Sequence, residues 1–209
     1  MTIFMFKVIC ITNRHLCSED FLVHITKTAA AAPDSIVLRE KDLGEDDYVC
    51  LAEKVMNICS EYKVAFTMHF YYKAAIRLGI RRVHIPLFMM RQMTDEEKQF
   101  FSVIGVSCHS KEEAMEAEKL GASYITAGHI FETDCKAGLR GRGLGFLSEV
   151  KKSVGIPVFA IGGISPVNAG EVISAGADGI CIMSGFMRAE EPSELLDSLR
   201  ILKRGDSIS

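Results

Sequence analysis

The segment SKEEAMEAEKLGASYITAG, residues 110–128, shows the unit from which this chain is built. Ser110 is a favoured residue at a helix start, and the residues after it keep a helical spacing until Gly121, which suits a left-handed helix end. The apolar run at 123–128 follows almost at once. A helix that passes so directly into a buried strand is typical of folds in which helices and parallel strands alternate.

The same tight connection occurs on both sides of this segment. LGIRRVHI (78–85) and AGADGICIM (175–183) also place a glycine after the last apolar helical residue and enter a strand within a few residues. Apolar strands without alternation indicate a parallel sheet that is covered on both faces. Eight candidate strands occur along the chain, at residues 6–12, 35–39, 64–68, 82–85, 102–107, 123–128, 157–163 and 178–185.

This pattern predicts an α/β protein, a (β/α)8 TIM barrel formed by residues 1–209 as a single domain. No linker or low-complexity run divides the chain. A doubly wound open sheet is the competing architecture, because one sequence does not fix the number of strands. In a barrel, we expect the functional side chains at the carboxyl ends of the strands.

Composition narrows the classes of partner. The formal net charge of -3 provides no basic surface for nucleic acid, and no apolar run is long enough to span a membrane. The seven cysteines are odd in number and lack metal-ligand spacing, which argues against a disulfide framework or a zinc site and favours a cytoplasmic location. We expect neither nucleic acid nor membrane as a partner, and a homo-oligomer stays possible.

Cationic residues follow the second candidate strand. Arg39 and Lys41 lie in LREKDL (38–43), and a guanidinium at the end of a barrel strand can form paired hydrogen bonds with phosphate or carboxylate. The alternative is that both side chains belong to the solvated start of a helix, since REKDLGEDD mixes charges of both signs. The first interpretation predicts an anionic substrate, most simply a phosphate ester.

Small residues follow the last two candidate strands. Gly162 and Gly163 lie in AIGGIS, and Ser184 and Gly185 lie in IMSGF. Barrels often bind phosphate through backbone N–H groups at this place. For the glycine pair alone, a tight turn without a ligand is an equal alternative.

The segment GHIFETDCKAGLRGRGLGF (128–146) is a long connection in a chain of short ones, and such loops are usually functional or disordered. It carries His129, Thr133 and Lys136 as candidate ligand contacts. Lys136 could also lower the pKa of the neighbouring Cys135, although an unreactive loop residue is the simpler interpretation.

His109 is the candidate acid–base residue. It follows the strand segment IGVSC, and an imidazole can accept and return a proton near neutral pH. A single histidine at a strand end is more often structural. His69 and His129 occupy similar positions, and three imidazoles could bind a metal, but no carboxylate completes the set, so we predict no metal site. The remaining histidines, His15, His24 and His84, are interpreted as surface or packing residues.

Five separated motifs, LREKDL, GVSCHS, GHIFETDCKAG, AIGGIS and GADGICIMSG, resemble the thiamin phosphate synthase superfamily in the same order, which implies a (β/α)8 barrel. The synthase branch holds Mg²⁺ with acidic residues after the third and fourth strands. Here TMHF places Met68 and His69, and the next strand is followed by PLFMMRQM, so those acids are missing. Val37 replaces a glutamine of the synthase type.

The loop resembles the TenI type, which implies a thiazole tautomerase: a cofactor-free proton transfer that aromatises a carboxythiazole phosphate tautomer in thiamin biosynthesis. The resemblance implies His109 as the acid–base residue and a small phosphorylated thiazole as the substrate. Two alternatives stay open: a thiamin phosphate synthase that joins a pyrimidine diphosphate to a thiazole phosphate, and a non-catalytic regulator that binds a thiamin precursor. In the tautomerase the anionic ends would be held by Arg39, Lys41, Lys136 and the backbone of Gly162, Gly163, Ser184 and Gly185, with His129 and Thr133 on the loop side.

Overall fold

The computed structural model describes residues 6–133 and 138–205. Its strands are all parallel and close into a barrel in sequence order, with β8 paired to β1. The predicted (β/α)8 barrel is therefore confirmed, and the open doubly wound sheet is wrong. The strands are β1 (Lys7–Ile11), β2 (Ser35–Leu38), β3 (Ala65–His69), β4 (Arg82–Pro86), β5 (Val103–Cys108), β6 (Tyr124–Gly128), β7 (Val158–Ile161) and β8 (Gly179–Ile182).

Helices fill the connections between the strands. A short 3-10 turn at Arg14–Leu16 follows β1, and several connections carry short helices that the sequence pattern did not predict. The α-helices are α1 (Phe21–Ala31), α2 (Glu45–Glu61), α3 (Tyr72–Arg77), α4 (Leu87–Met90), α5 (Asp95–Phe100), α6 (Lys111–Lys119), α7 (Gly143–Ser153), α8 (Ala169–Ser174), α9 (Ser184–Arg188) and α10 (Pro192–Gly205).

The unit at 110–128 folds as its sequence predicts. The Ser110 hydroxyl accepts a hydrogen bond of 3.1 Å from the Glu113 N–H and so caps α6. Gly121 has a φ of 96°, a conformation that side chains other than glycine rarely adopt. β6 begins three residues after Gly121, so the connection between helix and strand is as short as expected.

The strands separate two apolar layers. Alternate residues such as Cys10, Leu38 and Met68 point outward and pack against the helices in the larger core. Their neighbours Ile9, Ile11, Val37, Tyr124, Phe159 and Cys181 point inward and form a smaller core inside the barrel. Both faces of each strand are therefore buried, which explains the continuous apolar runs.

β7 ends two residues earlier than the apolar run suggests. Gly162 and Gly163 have φ values of 101° and 66°, so the backbone leaves the extended conformation at this point. Within the two described ranges, no helix is both long and apolar enough to cross a membrane.

Candidate active site

A cavity of about 520 Å³ opens at the carboxyl ends of the barrel strands. Its floor comprises inward-facing residues from strands around the barrel, and its rim comprises the connections that follow the strands. The lining residues include Ile11, Val37, Arg39, Lys41, His69, His84, Pro86, Phe88, Arg91, Ser107, His109, Glu113, Thr126, His129, Thr133, Gly162, Gly163, Cys181, Met183 and Ser184.

Most of the predicted site residues line this cavity. They are Arg39, Lys41, His109, His129, Thr133, Gly162, Gly163 and Ser184. The prediction of Gly185 as a cavity residue needs correction, because Gly185 does not line the cavity. It faces the barrel wall, where an added Cβ would stand 2.8 Å from Ile182 Cγ2. Lys136 and Cys135 lie outside the described residues.

A buried carboxylate holds the end of β2. Glu40 is 2% exposed. Its carboxylate accepts a hydrogen bond of 2.6 Å from the Thr12 hydroxyl and forms an ion pair of 3.1 Å with the Arg14 guanidinium. Thr12 Oγ1 in turn accepts a 2.9 Å hydrogen bond from the Arg39 N–H. The Arg39 guanidinium extends to 3.8 Å from Met183 Sδ, so it lies across the cavity mouth towards β8.

Two histidines on the rim adopt opposite tautomers. His109 Nδ1 lies 3.2 Å from the Gly128 carbonyl oxygen, and His129 Nε2 lies 3.2 Å from the Leu139 carbonyl oxygen. A carbonyl oxygen only accepts, so each of these nitrogens carries the proton and donates. In the neutral rings the proton-accepting nitrogen is therefore Nε2 of His109 and Nδ1 of His129.

The start of the 128–146 loop packs onto the glycine pair. The Ile130 N–H donates to the Ile161 carbonyl oxygen at 2.9 Å, and the Phe131 N–H donates to that of Gly162 at 3.0 Å. A Cβ on Gly162 would stand 2.3 Å from His129 Cβ, and one on Gly163 would stand 2.5 Å from the Glu132 carbonyl oxygen. Close approach of this loop therefore accounts for both glycines, whether or not their amides also bind a ligand.

Of the two interpretations of His84 from the sequence, a surface or a packing residue, the structure confirms packing, and it also places this side chain at the cavity. His84 is 4% exposed, lines the cavity floor, and stacks on His69 with the ring centroids 5.9 Å apart. Burial lowers the pKa of His84 to about 4. The pKa of His69 lies well below its usual value because of burial, the neighbouring His84 and the cations Arg39 and Lys41. Both rings are thus neutral at pH 7.

The side chains that line the cavity do not fit the Mg²⁺ site of the synthase type. Met68 is fully buried in the outer core, so of the TMHF segment His69 is the residue that lines the cavity. β4 ends in Pro86, and the one carboxylate among the described lining residues is Glu113 on α6. Mg²⁺ prefers several oxygen ligands, whereas β3 and β4 present imidazole and proline.

Arg91 is a cation that sequence reasoning missed. It follows α4 on the cavity wall and forms two hydrogen bonds of 2.7 Å with the Glu116 carboxylate. The short helix α4 follows β4 directly and carries Arg91 to the rim. MMRQM gave no strand-end signal for it, because Arg91 lies five residues beyond β4.

Together, the fold and the cavity define a (β/α)8 barrel with a cationic, imidazole-rich site at the carboxyl ends of its strands. Residues 8–186 match the family model TMP-TENI, described as thiamine monophosphate synthase. The chain therefore belongs to this family, whose enzymes act in thiamin biosynthesis.

Individual relatives agree with this assignment. The chain is 34% identical over 203 residues to a thiamine-phosphate synthase of Clostridium acetobutylicum, covering 94% of this chain and 93% of the relative. It is 32% identical over 199 residues to a thiamine-phosphate synthase of Pyrococcus abyssi, covering 93% of each. The solved structure of thiamine phosphate pyrophosphorylase from Pyrococcus furiosus superposes with a TM-score of 0.81 at 30% identity, covering 95% of this chain and 96% of that one.

Proposed function

We propose that this chain is a thiazole tautomerase, which aromatises a carboxythiazole phosphate tautomer by a proton transfer without cofactor. The observation that carries the proposal is the chemistry of the cavity wall: imidazoles and cations surround it, and the ends of β3 and β4 bear no acidic side chain. Such a wall suits an anionic substrate and a proton transfer better than a metal-assisted displacement of diphosphate.

In this proposal, His109 is the acid–base residue. Its Nδ1–H bond to the Gly128 carbonyl fixes the ring so that Nε2 accepts the proton. Nε2 removes the ring proton beside the carboxylate and returns it to the exocyclic carbon, so the step consumes nothing. Arg39, Lys41, Lys136 and the backbone near Gly162, Gly163 and Ser184 hold the anionic groups, and His129 and Thr133 lie on the loop side.

The relatives carry the synthase name, and this favours a second candidate: a thiamin phosphate synthase that joins a pyrimidine diphosphate to a thiazole phosphate. The identity of 30% or more extends over nearly the whole chain, so the fold and the phosphate-binding backbone are compatible with either reaction. The two candidates differ at the wall formed by β3 and β4, where the synthase reaction needs a site for Mg²⁺.

One pair of assays separates the candidates. Purified protein with EDTA is added to freshly generated tautomer phosphate, and aromatisation is followed by proton NMR. The tautomerase proposal predicts acceleration that falls at least 100-fold in His109→Asn and persists in His15→Asn, which alters an exposed histidine outside the cavity.

Contrary outcomes assign the function elsewhere. Full activity of His109→Asn with loss in His129→Asn would transfer the acid–base role to His129. Failure to aromatise the tautomer, together with Mg²⁺-dependent condensation of the pyrimidine and thiazole substrates, would establish the synthase. Inactivity in both assays combined with tight binding of thiazole phosphate would point to a regulator.

A further inference from the structure

The cavity floor contains a chain of hydrogen bonds that the proposed reaction does not use. Tyr124 Oη lies 3.0 Å from His84 Nδ1, and His84 Nε2 lies 2.9 Å from Ser107 Oγ. Tyr124 and His84 are 7% and 4% exposed, whereas Ser107 is half-buried and lines the cavity. The chain thus runs from the barrel interior to the surface that a ligand would contact.

The direction of this chain follows from its inner end. Burial raises the pKa of Tyr124, so the phenol keeps its proton at neutral pH. Among the described residues, His84 is the one hydrogen-bond partner of Tyr124 Oη, and a buried hydroxyl proton without an acceptor is costly. Tyr124 therefore donates to His84 Nδ1.

The remaining polarity is then determined. A neutral imidazole that accepts at Nδ1 carries its proton on Nε2, so His84 donates to Ser107 Oγ. Thr126 Oγ1, 3.5 Å from the same nitrogen, is a second and weaker acceptor. The oxygen of Ser107 already accepts from His84, which leaves the Ser107 O–H to donate into the cavity.

The barrel is built around the first of these bonds. A Cβ on Gly105 of β5 would stand 2.4 Å from Tyr124 Oη and 2.5 Å from His84 Nδ1, so any larger residue would occupy the space of the bond. Gly105 pairs with His84 on β4 and with Tyr124 on β6, and it lies between the two side chains. The glycine, the tyrosine and the histidine form one arrangement.

We propose that Tyr124 and His84 are positioning residues that fix Ser107 as a hydrogen-bond donor to an uncharged ring nitrogen of the ligand. The choice of a heterocyclic phosphate as the ligand rests on the proposed function. The direction of the hydrogen-bond relay from Tyr124 through His84 to Ser107 does not. A ring that presents C–H at this point leaves the Ser107 hydroxyl unpaired, so the cavity selects azoles over rings of the same shape without nitrogen.

The direction of the relay is tested without any ligand. Protein labelled with ¹⁵N-histidine is measured by long-range ¹H–¹⁵N correlation at pH 7, with the His84 signals identified by their loss in His84→Gln. We expect the Nε2–H form in the wild-type protein and a shift towards the Nδ1–H form in Tyr124→Phe. An Nδ1–H form in the wild-type protein would overturn the proposal.

Ligand selection is tested by calorimetry with two probes: 4-methyl-5-(2-phosphooxyethyl)thiazole and the thiophene analogue in which C–H replaces the ring nitrogen. We expect the wild-type protein to prefer the thiazole roughly 10- to 100-fold. Ser107→Ala should reduce this ratio to near one, and Tyr124→Phe should reduce it in part.

Equal affinity of the two probes for the wild-type protein would contradict the role of Ser107. Binding of neither probe would contradict both the proposed function and the ligand assigned here, while the NMR result would still decide the direction of the relay. The two failures are therefore distinguishable.

Discussion

Glu40 shows how a single buried residue positions the cationic rim. Its carboxylate accepts hydrogen bonds from the Thr12 hydroxyl, from the Arg14 backbone N–H at 3.1 Å and from the Arg14 guanidinium. It also lies between the two rim cations Arg39 and Lys41 in the sequence. A change at this residue is therefore expected to affect both stability and the geometry of the rim.

We predict that Glu40→Gln lowers the free energy of unfolding by about 2 kcal/mol, because the amide cannot satisfy all of these donors. Urea unfolding measures the loss. Asp42→Asn is the matched control: Asp42 binds the same Arg14 but is half exposed, so its replacement should cost less. A larger loss in Asp42→Asn than in Glu40→Gln would contradict this assignment.

At the scale of the element, β5 depends on a glycine. Gly105 lies where a Cβ would stand 2.2 Å from Tyr124 Cζ, and the ring is fixed inside the barrel. We predict that Gly105→Ala destabilises the protein by about 2 kcal/mol through overpacking. Gly170→Ala in α8 is the control, since nothing lies within 4 Å of its Cβ and alanine favours a helix. Thermal unfolding should show opposite shifts for the two variants.

The connection after β7 is a second element whose backbone determines the site. We predict that Gly162→Ala is more destabilising than Gly79→Ala. Both positions have positive φ values, so each alanine costs about 1 kcal/mol of backbone strain. An added Cβ meets nothing within 4 Å at Gly79, whereas at Gly162 it collides with His129.

The same pair of variants separates the effect of the loop on ligand binding from the effect of backbone strain on stability. Because Gly162→Ala displaces the loop segment that carries His129, it should also weaken binding of the thiazole phosphate, while Gly79→Ala should leave that affinity unchanged. Calorimetry on both variants measures the difference. Equal affinities would show that the contact between the loop and the glycine pair does not shape the cavity.

For the molecule as a whole, the fold was readable because helix periodicity, glycine helix ends and apolar strands recur along the chain. Only part of the candidate site could be predicted from the sequence. Arg39 and His109 follow strands directly, and strand ends meet at one end of a barrel. His84 and Tyr124 lie within strands buried on both faces, where apolar patterning does not reveal which alternate residues point inward. Their role depends on cross-strand neighbours that only the closed barrel brings together.

The neutral histidines inside the barrel also make global stability depend on pH. His84 has a pKa of about 4 in the folded protein, below the usual 6.5 of an exposed ring. The unfolded chain therefore binds a proton at a higher pH than the folded one, and acidification favours unfolding between these two values. Above pH 6.5 both states are neutral and the effect vanishes. His69, whose pKa is also lowered, acts in the same direction.

We predict that the free energy of unfolding falls by about 3 kcal/mol from His84 alone as the pH drops from 7 to 4. Urea unfolding at intervals across this range measures the decline. In His84→Gln the decline should be shallower by that amount, because glutamine can accept from Tyr124 and donate to Ser107 but does not titrate. His15→Gln is the control, since His15 is exposed and should leave the decline close to that of the wild type. Parallel curves for the wild-type protein and His84→Gln would show that His84 is not held neutral by the fold, and the polarity assigned to the relay would lose its basis.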